Sequence, residues 1–420
     1  MLSSSPSARP PVAVTGIGMI CPLGVTVDEC WKNMLNGQSG IRPITEFETS
    51  GCSTTIGGQL PEAASQIEKK RTPKRLFKQT IRSSRLIRLC AQDAMTDCSV
   101  ELRGLDATRC AIIVGTSGSS VGNPLDLTDA ETERFRIIRD MVNAPAAWLS
   151  IEFGFKGPAF TLSAAAASGI YAAAAGVDLI RHGWADLVVV GGVDTVLTKN
   201  SLIKANHLKM LSTRNAEPEK ALRPFDIQRD GCLLSDGACA VVLESLPHAR
   251  SRNAPIYAWI QGYATCSEPY SPHSEARDGA EMARTMEMGL QDSGMPKESI
   301  GYLSAAATSA VISDALESQA IRTVFGGHAE ALGISAIQSM IGHTMGASGL
   351  IALSTTALAL KTQMAPPTIN YAFPDPACDL DYIPNSMRKL NGVEGAMVNA
   401  FSIGGHNAVA VLSRQGSLAE

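Results

Sequence analysis

The stretch Ala164-Ala165-Ala166-Ala167-Ser168-Gly169-Ile170-Tyr171-Ala172 decides how the chain is read, because its second half returns as Ala347-Ser348-Gly349-Leu350-Ile351-Ala352 about 180 positions later. Each copy opens an alanine-rich helical pattern, over residues 168–182 in the first case and 348–361 in the second. Small residues at a helix start let two backbones approach closely, so both helices are expected at the buried centre of a pseudo-symmetric, duplicated fold. Short apolar runs surround them at residues 11–16, 111–115, 187–192, 238–243 and 256–262. Runs of this kind read as buried strands, and their alternation with helices predicts an α/β protein built on a parallel sheet. The polar segment 244–255 (ESLPHARSRNAP) is the expected linker, which divides the chain into halves at residues 1–252 and 253–420.

Composition sets the outer limits. With 45% hydrophobic and 18% charged residues over 420 positions, the chain has ample material for a core, which excludes disorder as its main state. Aromatic residues make up only 5% while glycines number 37, so the apolar content is mostly small and aliphatic, as in tightly packed α/β layers. The near balance of 36 basic and 40 acidic residues argues against a general nucleic-acid binder. Ten cysteines include no Cys-x-x-Cys pair and accompany no histidine cluster at metal spacing, so no metal site is expected and the thiols read as reduced and buried in a cytoplasmic protein. Residues 1–11 are Ser/Pro-rich without an apolar core, unlike a secretory signal. No membrane span is expected either, since Ser168, Gly169, Gly176 and Asp178 interrupt the most apolar stretch.

Further blocks lie in order along the chain: Val14-Thr15-Gly16-Ile17-Gly18, Gly157-Pro158, Ala185-Asp186-Leu187, Leu211-Ser212-Thr213-Arg214-Asn215, Arg223-Pro224-Phe225-Asp226, Arg229-Asp230-Gly231, Gly342-His343, Pro366-Pro367-Thr368-Ile369-Asn370 and Asn399-Ala400-Phe401 with Gly404-Gly405. Together they resemble the β-ketoacyl-acyl-carrier-protein synthases, the condensing enzymes of fatty-acid and polyketide synthesis, over residues 11–413. The resemblance implies the thiolase fold, two similar βα halves in stacked α-β-α-β-α layers, and a dimer joined through an edge strand and central helices. It also implies a cysteine nucleophile at the head of a central helix, where the dipole favours thiolate, and two histidines that stabilise a thioester enolate.

What occupies those positions here differs. Ala166 stands where the family's Thr-Ala-Cys-x-Ser-Gly pattern has cysteine, and a methyl group cannot accept an acyl chain. Ala306, in Ser304-Ala305-Ala306-Ala307-Thr308, replaces the first histidine; Gln338 stands in the region of the usual lysine; His343 is retained; and a Gly-Gly-Thr-Asn pattern becomes Gly404-Gly405-His406-Asn407. The set is most similar to a catalytically inactive chain-length factor of a type II polyketide or aryl polyene system, although such partners commonly carry glutamine rather than alanine at the cysteine position.

That resemblance implies a heterodimer with a catalytic ketosynthase and docking by an acyl carrier protein, whose phosphopantetheine arm is the only prosthetic group involved. The chain itself is expected to need no cofactor and to be inactive alone. Phe401 matches a gating position, though a Phe in an apolar segment equally reads as core. Phe135, Ile138, Met141 and Val142, in the region 117–148, are the expected wall of the acyl tunnel. Residues 69–88 hold nine Lys/Arg and no acid, and Arg71, Lys74, Arg75 and Lys78 are the expected docking residues, against the plainer reading of a solvated helix face. Asp314 and Glu317 read as an exposed helix face or as structural partners of the site, and Gly404-Gly405 as a tight turn. Other readings fit the same residues: a malonyl-carrier-protein decarboxylase using His343, a homodimeric acyl-binding protein, or an engineered inactive 3-oxoacyl-carrier-protein synthase.

Overall fold

The computed structural model describes residues 9–118, 135–272 and 274–414; positions 119–134 of the expected tunnel-wall region fall outside them. Ten strands form one hydrogen-bonded sheet: β1 (Val12–Ile20), β2 (Cys110–Gly115), β3 (Ala159–Leu162), β4 (Leu187–Asp194), β5 (Gly237–Ser245), β6 (Ala258–Ser267), β7 (Ile300–Ser304), β8 (Gly333–Ser335), β9 (Gly395–Ser402) and β10 (His406–Ser413). Their spatial order is β8-β7-β9-β10-β6-β1-β5-β4-β2-β3. Read outward from the centre, the first half runs β1, β5, β4, β2, β3 and the second β6, β10, β9, β7, β8, the same order with five added to each number. Within the sheet the halves are joined where Val12, Ala13 and Val14 pair with Ile260, Trp259 and Ala258.

Alternate strand residues enter different cores, as a two-residue side-chain period requires. Ala111, Ile113, Val188 and Val190 from the first half meet Ala396, Val398, Ala408 and Ala410 from the second in one central core, around helices α3 (Ser168–Arg181) and α6 (Ser348–Thr362). Ile112, Val114, Leu187 and Val189 face the other way, toward α1 (Arg82–Asp97) and α2 (Ala144–Phe153). Met397, Val409 and Val411 face α4 (Ala280–Ser293) and α5 (Ser313–Phe325). Three cores between five layers, helix, sheet, helix, sheet, helix, are the expected thiolase-type arrangement.

The central pair explains the repeat. Both helices follow a single tight turn, Ala165–Ala167 and Met345–Ala347, and the first residue of each turn has φ of 49°. A Cβ on Gly169 would lie 2.5 Å from the backbone N of Leu350, and one on Gly349 would lie 2.9 Å from Ile170 Cγ1. The small residues are therefore required by backbone contact between the two copies.

Two expectations need correction. The sheet is mixed: β2 runs parallel to β3 and β4, and β7 to β8 and β9, but the last strand of each half lies antiparallel between its neighbours. Between β9 and β10 only Ile403, Gly404 and Gly405 intervene, too few for a parallel crossover, and both glycines take left-handed φ of 83° and 76°. Segment 244–255 does join the halves, between β5 and β6, but it is not irregular, because Leu246–Ser251 is a helix capped by the Ser245 side chain. Its polar residues serve an internal cluster: buried Glu244 accepts hydrogen bonds from Arg252, His248 and Thr15. Burial opposes ionisation of that carboxyl, but these partners outweigh it and hold the pKa at about 2.

Candidate functional site

A cavity of about 840 Å³ opens where the central turn, the end of β9 and the segment after β7 converge. Ala166, Ala306, Glu317, His343, Phe401 and Ser402 all line it, together with apolar side chains such as Met282 and Leu211. Residues more than 200 positions apart in sequence thus share one wall. Fully buried Asp194 helps fix the geometry by tying the Met345–Ala347 turn to the residues that follow β2: its carboxylate accepts from Ser117 N at 2.8 Å, Thr116 Oγ1 at 2.7 Å and Gly346 N at 2.7 Å.

Ala166 belongs to the turn that opens α3, where helix amides lack intrahelical acceptors. Its N–H donates to Ser402 Oγ at 3.1 Å. The Ser168 hydroxyl accepts from Ala164 N at 2.8 Å and lies 2.6 Å from Ala165 O, to which it donates. At Ala306 the backbone N–H donates to Glu317 Oε1 at 2.9 Å, and Asn399 Nδ2 donates to the same oxygen at 2.8 Å. Neither alanine side chain offers a nucleophile, an acid or a base.

Two titratable groups on the cavity wall, Glu317 and His343, and Asp314 beside it are all shifted by burial. Burial pushes the Glu317 carboxyl up to about 7, against the opposing hydrogen bonds from Ala306 and Asn399. Asp314, which accepts from Phe225 N, Thr308 N and Ala310 N, is raised by burial to about 6. Both carboxyls are buried, so of the two readings the exposed helix face is excluded: they hold the loop that carries Ala306. Burial lowers His343 to about 4, so its imidazole is uncharged at neutral pH. Its Nδ1 lies 3.3 Å from Ser348 Oγ.

Other expected residues lie elsewhere. Gln338 is buried at the start of the short helix Gln338–Ile341, outside the cavity wall, and its Oε1 has no hydrogen-bond partner in the structure. Phe135 precedes the helix Arg136–Asp140, and Ile138, Met141 and Val142 are exposed on or just after it; none of the four touches the cavity. Ile138, Met141 and Val142 join Ile137, Ile151 and Phe160 as exposed apolar side chains, and β3 is an edge strand with no outer partner among the described residues. The basic stretch is not one helix face. It is split into Glu62–Arg71, Lys74–Gln79 and α1, because Thr72-Pro73 and Thr80-Ile81 interrupt it. Arg82, Arg85 and Arg88 turn inward, to Glu46 and Asp236, to Glu68 and to Glu152 respectively. Arg71 pairs with Asp93 at 2.7 Å, while Lys74, Arg75 and Lys78 are exposed.

The family models agree with this architecture. The "Beta-ketoacyl synthase, N-terminal domain" model matches residues 9–249 and the "Beta-ketoacyl synthase, C-terminal domain" model residues 257–372. The chain belongs to the β-ketoacyl synthase family. Among curated relatives, the 3-oxoacyl-[acyl-carrier-protein] synthase 2 of Coxiella burnetii is 34% identical over 416 residues, covering 96% of this chain and 98% of that protein. The enzyme of the same name from Vibrio cholerae is 35% identical, with coverages of 96% and 99%. Among solved structures, the ishigamide ketosynthase/chain length factor matches with a TM-score of 0.86 at 29% identity, covering 97% of this chain and 100% of that one. A type II PKS acyl-carrier protein in complex with its ketosynthase bound to the hexaketide gives 0.86 at 28% identity, with coverages of 97% and 99%.

Sequence reasoning missed Ser402 altogether. Its only signal was a hydroxyl beside the Gly404-Gly405 turn, and its contact with Ala166 spans 236 positions.

Proposed function

We propose that this β-ketoacyl synthase homologue is a chain-length factor, the non-catalytic member of a ketosynthase pair in a type II polyketide or polyene system. The observation that carries the reading is the pair of methyl groups, Ala166 and Ala306, on the wall of a cavity that is otherwise retained. Acyl transfer needs a nucleophile and a group to stabilise developing negative charge. Here the first is a methyl group, and of the two imidazoles the family uses one is replaced by Ala306, leaving His343 alone.

The partner in this reading is a catalytic ketosynthase that supplies the cysteine and two histidines. It would pair along the unpaired edge of β3 and cover the apolar side chains beside it, since an open edge and an exposed apolar patch both call for a partner. Ile138, Met141 and Val142 would then close the far end of the partner's acyl tunnel. Each methylene buried in such a tunnel gains about 0.8 kcal/mol, and growth stops where a side chain blocks the next one. The growing chain travels on the phosphopantetheine of an acidic acyl carrier protein, with Lys74, Arg75 and Lys78 as its docking contacts. Ten free cysteines suit a reducing compartment, and we place the pair in the cytoplasm.

Co-expression with a catalytic ketosynthase and its carrier protein tests the wall. Met141→Ala together with Phe135→Ala should shift products to longer chains at unchanged total turnover. An unchanged product distribution refutes the assignment.

A further inference from the structure

Ser402 lies against the backbone amide of Ala166. Its side chain is buried, it lies on the cavity wall, and its Oγ accepts the Ala166 N–H at 3.1 Å. The amide of a nucleophile's own residue, at the head of a helix, is a common oxyanion donor in acyl transfer, because it already points at the reacting carbon and carries the positive end of the helix dipole. Ala166 N–H has that position, on the turn that opens α3. The left-handed φ of 49° at Ala165 turns the chain into the helix there.

We propose that Ser402 is a second silencing residue, independent of the missing nucleophile: its hydroxyl occupies the amide that would polarise a thioester carbonyl. The inference rests on the reading of this cavity as a former acyl-transfer site. A carbonyl entering the cavity must displace a preorganised intramolecular hydrogen bond before it can use this donor. Restoring a thiol at position 166 alone therefore gives a nucleophile without its oxyanion donor.

The test compares full-length Ala166→Cys with Ala166→Cys/Ser402→Ala, each treated with the octanoyl thioester of N-acetylcysteamine and followed by intact mass. In the reaction the protein thiolate attacks the carbonyl carbon and forms a new C–S bond. The old C–S bond breaks, and N-acetylcysteamine leaves as a thiolate that takes a proton from water, with no change of oxidation state. The double variant should acylate at least about tenfold faster, short of the roughly 100- to 1000-fold that one oxyanion donor supplies because a water can replace the hydroxyl.

Alkylation by iodoacetamide displaces iodide and forms no oxyanion, so its rate should agree within about twofold between the two proteins and so separates oxyanion donation from thiol exposure. Ala166→Cys/Ser402→Thr keeps a hydroxyl and should remain slow. Equal acylation rates in the first two proteins, or fast acylation with threonine, would overturn the proposal. Should the alanine variant not fold, Ala166→Cys/Ser402→Gly provides the same comparison. Acyl uptake by the unsubstituted chain would instead defeat the non-catalytic reading, leaving the rate ratio between the thiol variants as a separate result.

Discussion

Replacing Glu317 by glutamine should make the protein's stability less sensitive to pH in a defined direction. The carboxyl is buried and also bonds the Ala307 amide, while Ala306 N–H at 2.9 Å and Asn399 Nδ2 at 2.8 Å both reach Oε1. A glutamine Oε1 can accept both. Folding raises this carboxyl to about 7 from an unfolded value near 4.5, so the native state holds the proton more tightly. Its contribution is fully present below the unfolded value and is lost as pH rises through the folded one. At about 1.4 kcal/mol per unit, the native chain loses about 3 kcal/mol between pH 4.5 and 8 from this group alone. Glu317→Gln lacks that loss. Melting temperatures of both proteins, measured in parallel at pH 5 and pH 8, should therefore diverge, with the variant gaining several degrees relative to the native chain at the higher pH. A difference between the two proteins that stays constant from pH 5 to 8 would refute the claim that Glu317 is buried without a counter-charge.

Three further outcomes follow from the fold and the surface. Gly169→Val should cost more than about 3 kcal/mol, or prevent folding, because its Cβ would meet the Leu350 backbone at 2.5 Å; a melting temperature within a few degrees of the native value would contradict the close helix contact. Lys74→Glu with Arg75→Glu should weaken carrier-protein binding at low salt by tenfold or more while leaving the melting temperature unchanged, since both side chains are exposed. Arg82→Glu should instead lower the melting temperature, because Arg82 neutralises Glu46 and Asp236.

The duplicated core was legible because its cause is local. Ala167-Ser168-Gly169 and Ala347-Ser348-Gly349 carry the small residues that a helix crossing requires, and the apolar runs at residues 111–115 and 187–192 are continuous because both sheet faces are covered. Strand direction was not legible, because antiparallel pairing of β5 and β10 depends on where the chain returns rather than on the residues of the strand. Segment 244–255 does connect the halves, but it read as irregular because Glu244, His248 and Arg252 are polar, whereas it is helical and their polarity is spent on one buried cluster. The same error of scale affected residues 69–88: a run of cations reads as one face, but Arg85 and Arg88 turn inward to acids 17 and 64 positions away. At the site, Ala166 and Ala306 could be placed by motif. Glu317 could be read only as one of two alternatives and Ser402 not at all, since what they do depends on burial and on a contact between distant segments.

The central claim is that the chain has no acyl-transfer chemistry of its own and acts through a partner. The most direct measurement is carbon-dioxide release and condensation from malonyl carrier protein, by the isolated chain and by its purified complex with a catalytic ketosynthase. The account predicts a one-to-one complex that condenses and an isolated chain that does neither. Carbon-dioxide release by the isolated chain, or a ketosynthase that elongates equally well without it, would contradict the account.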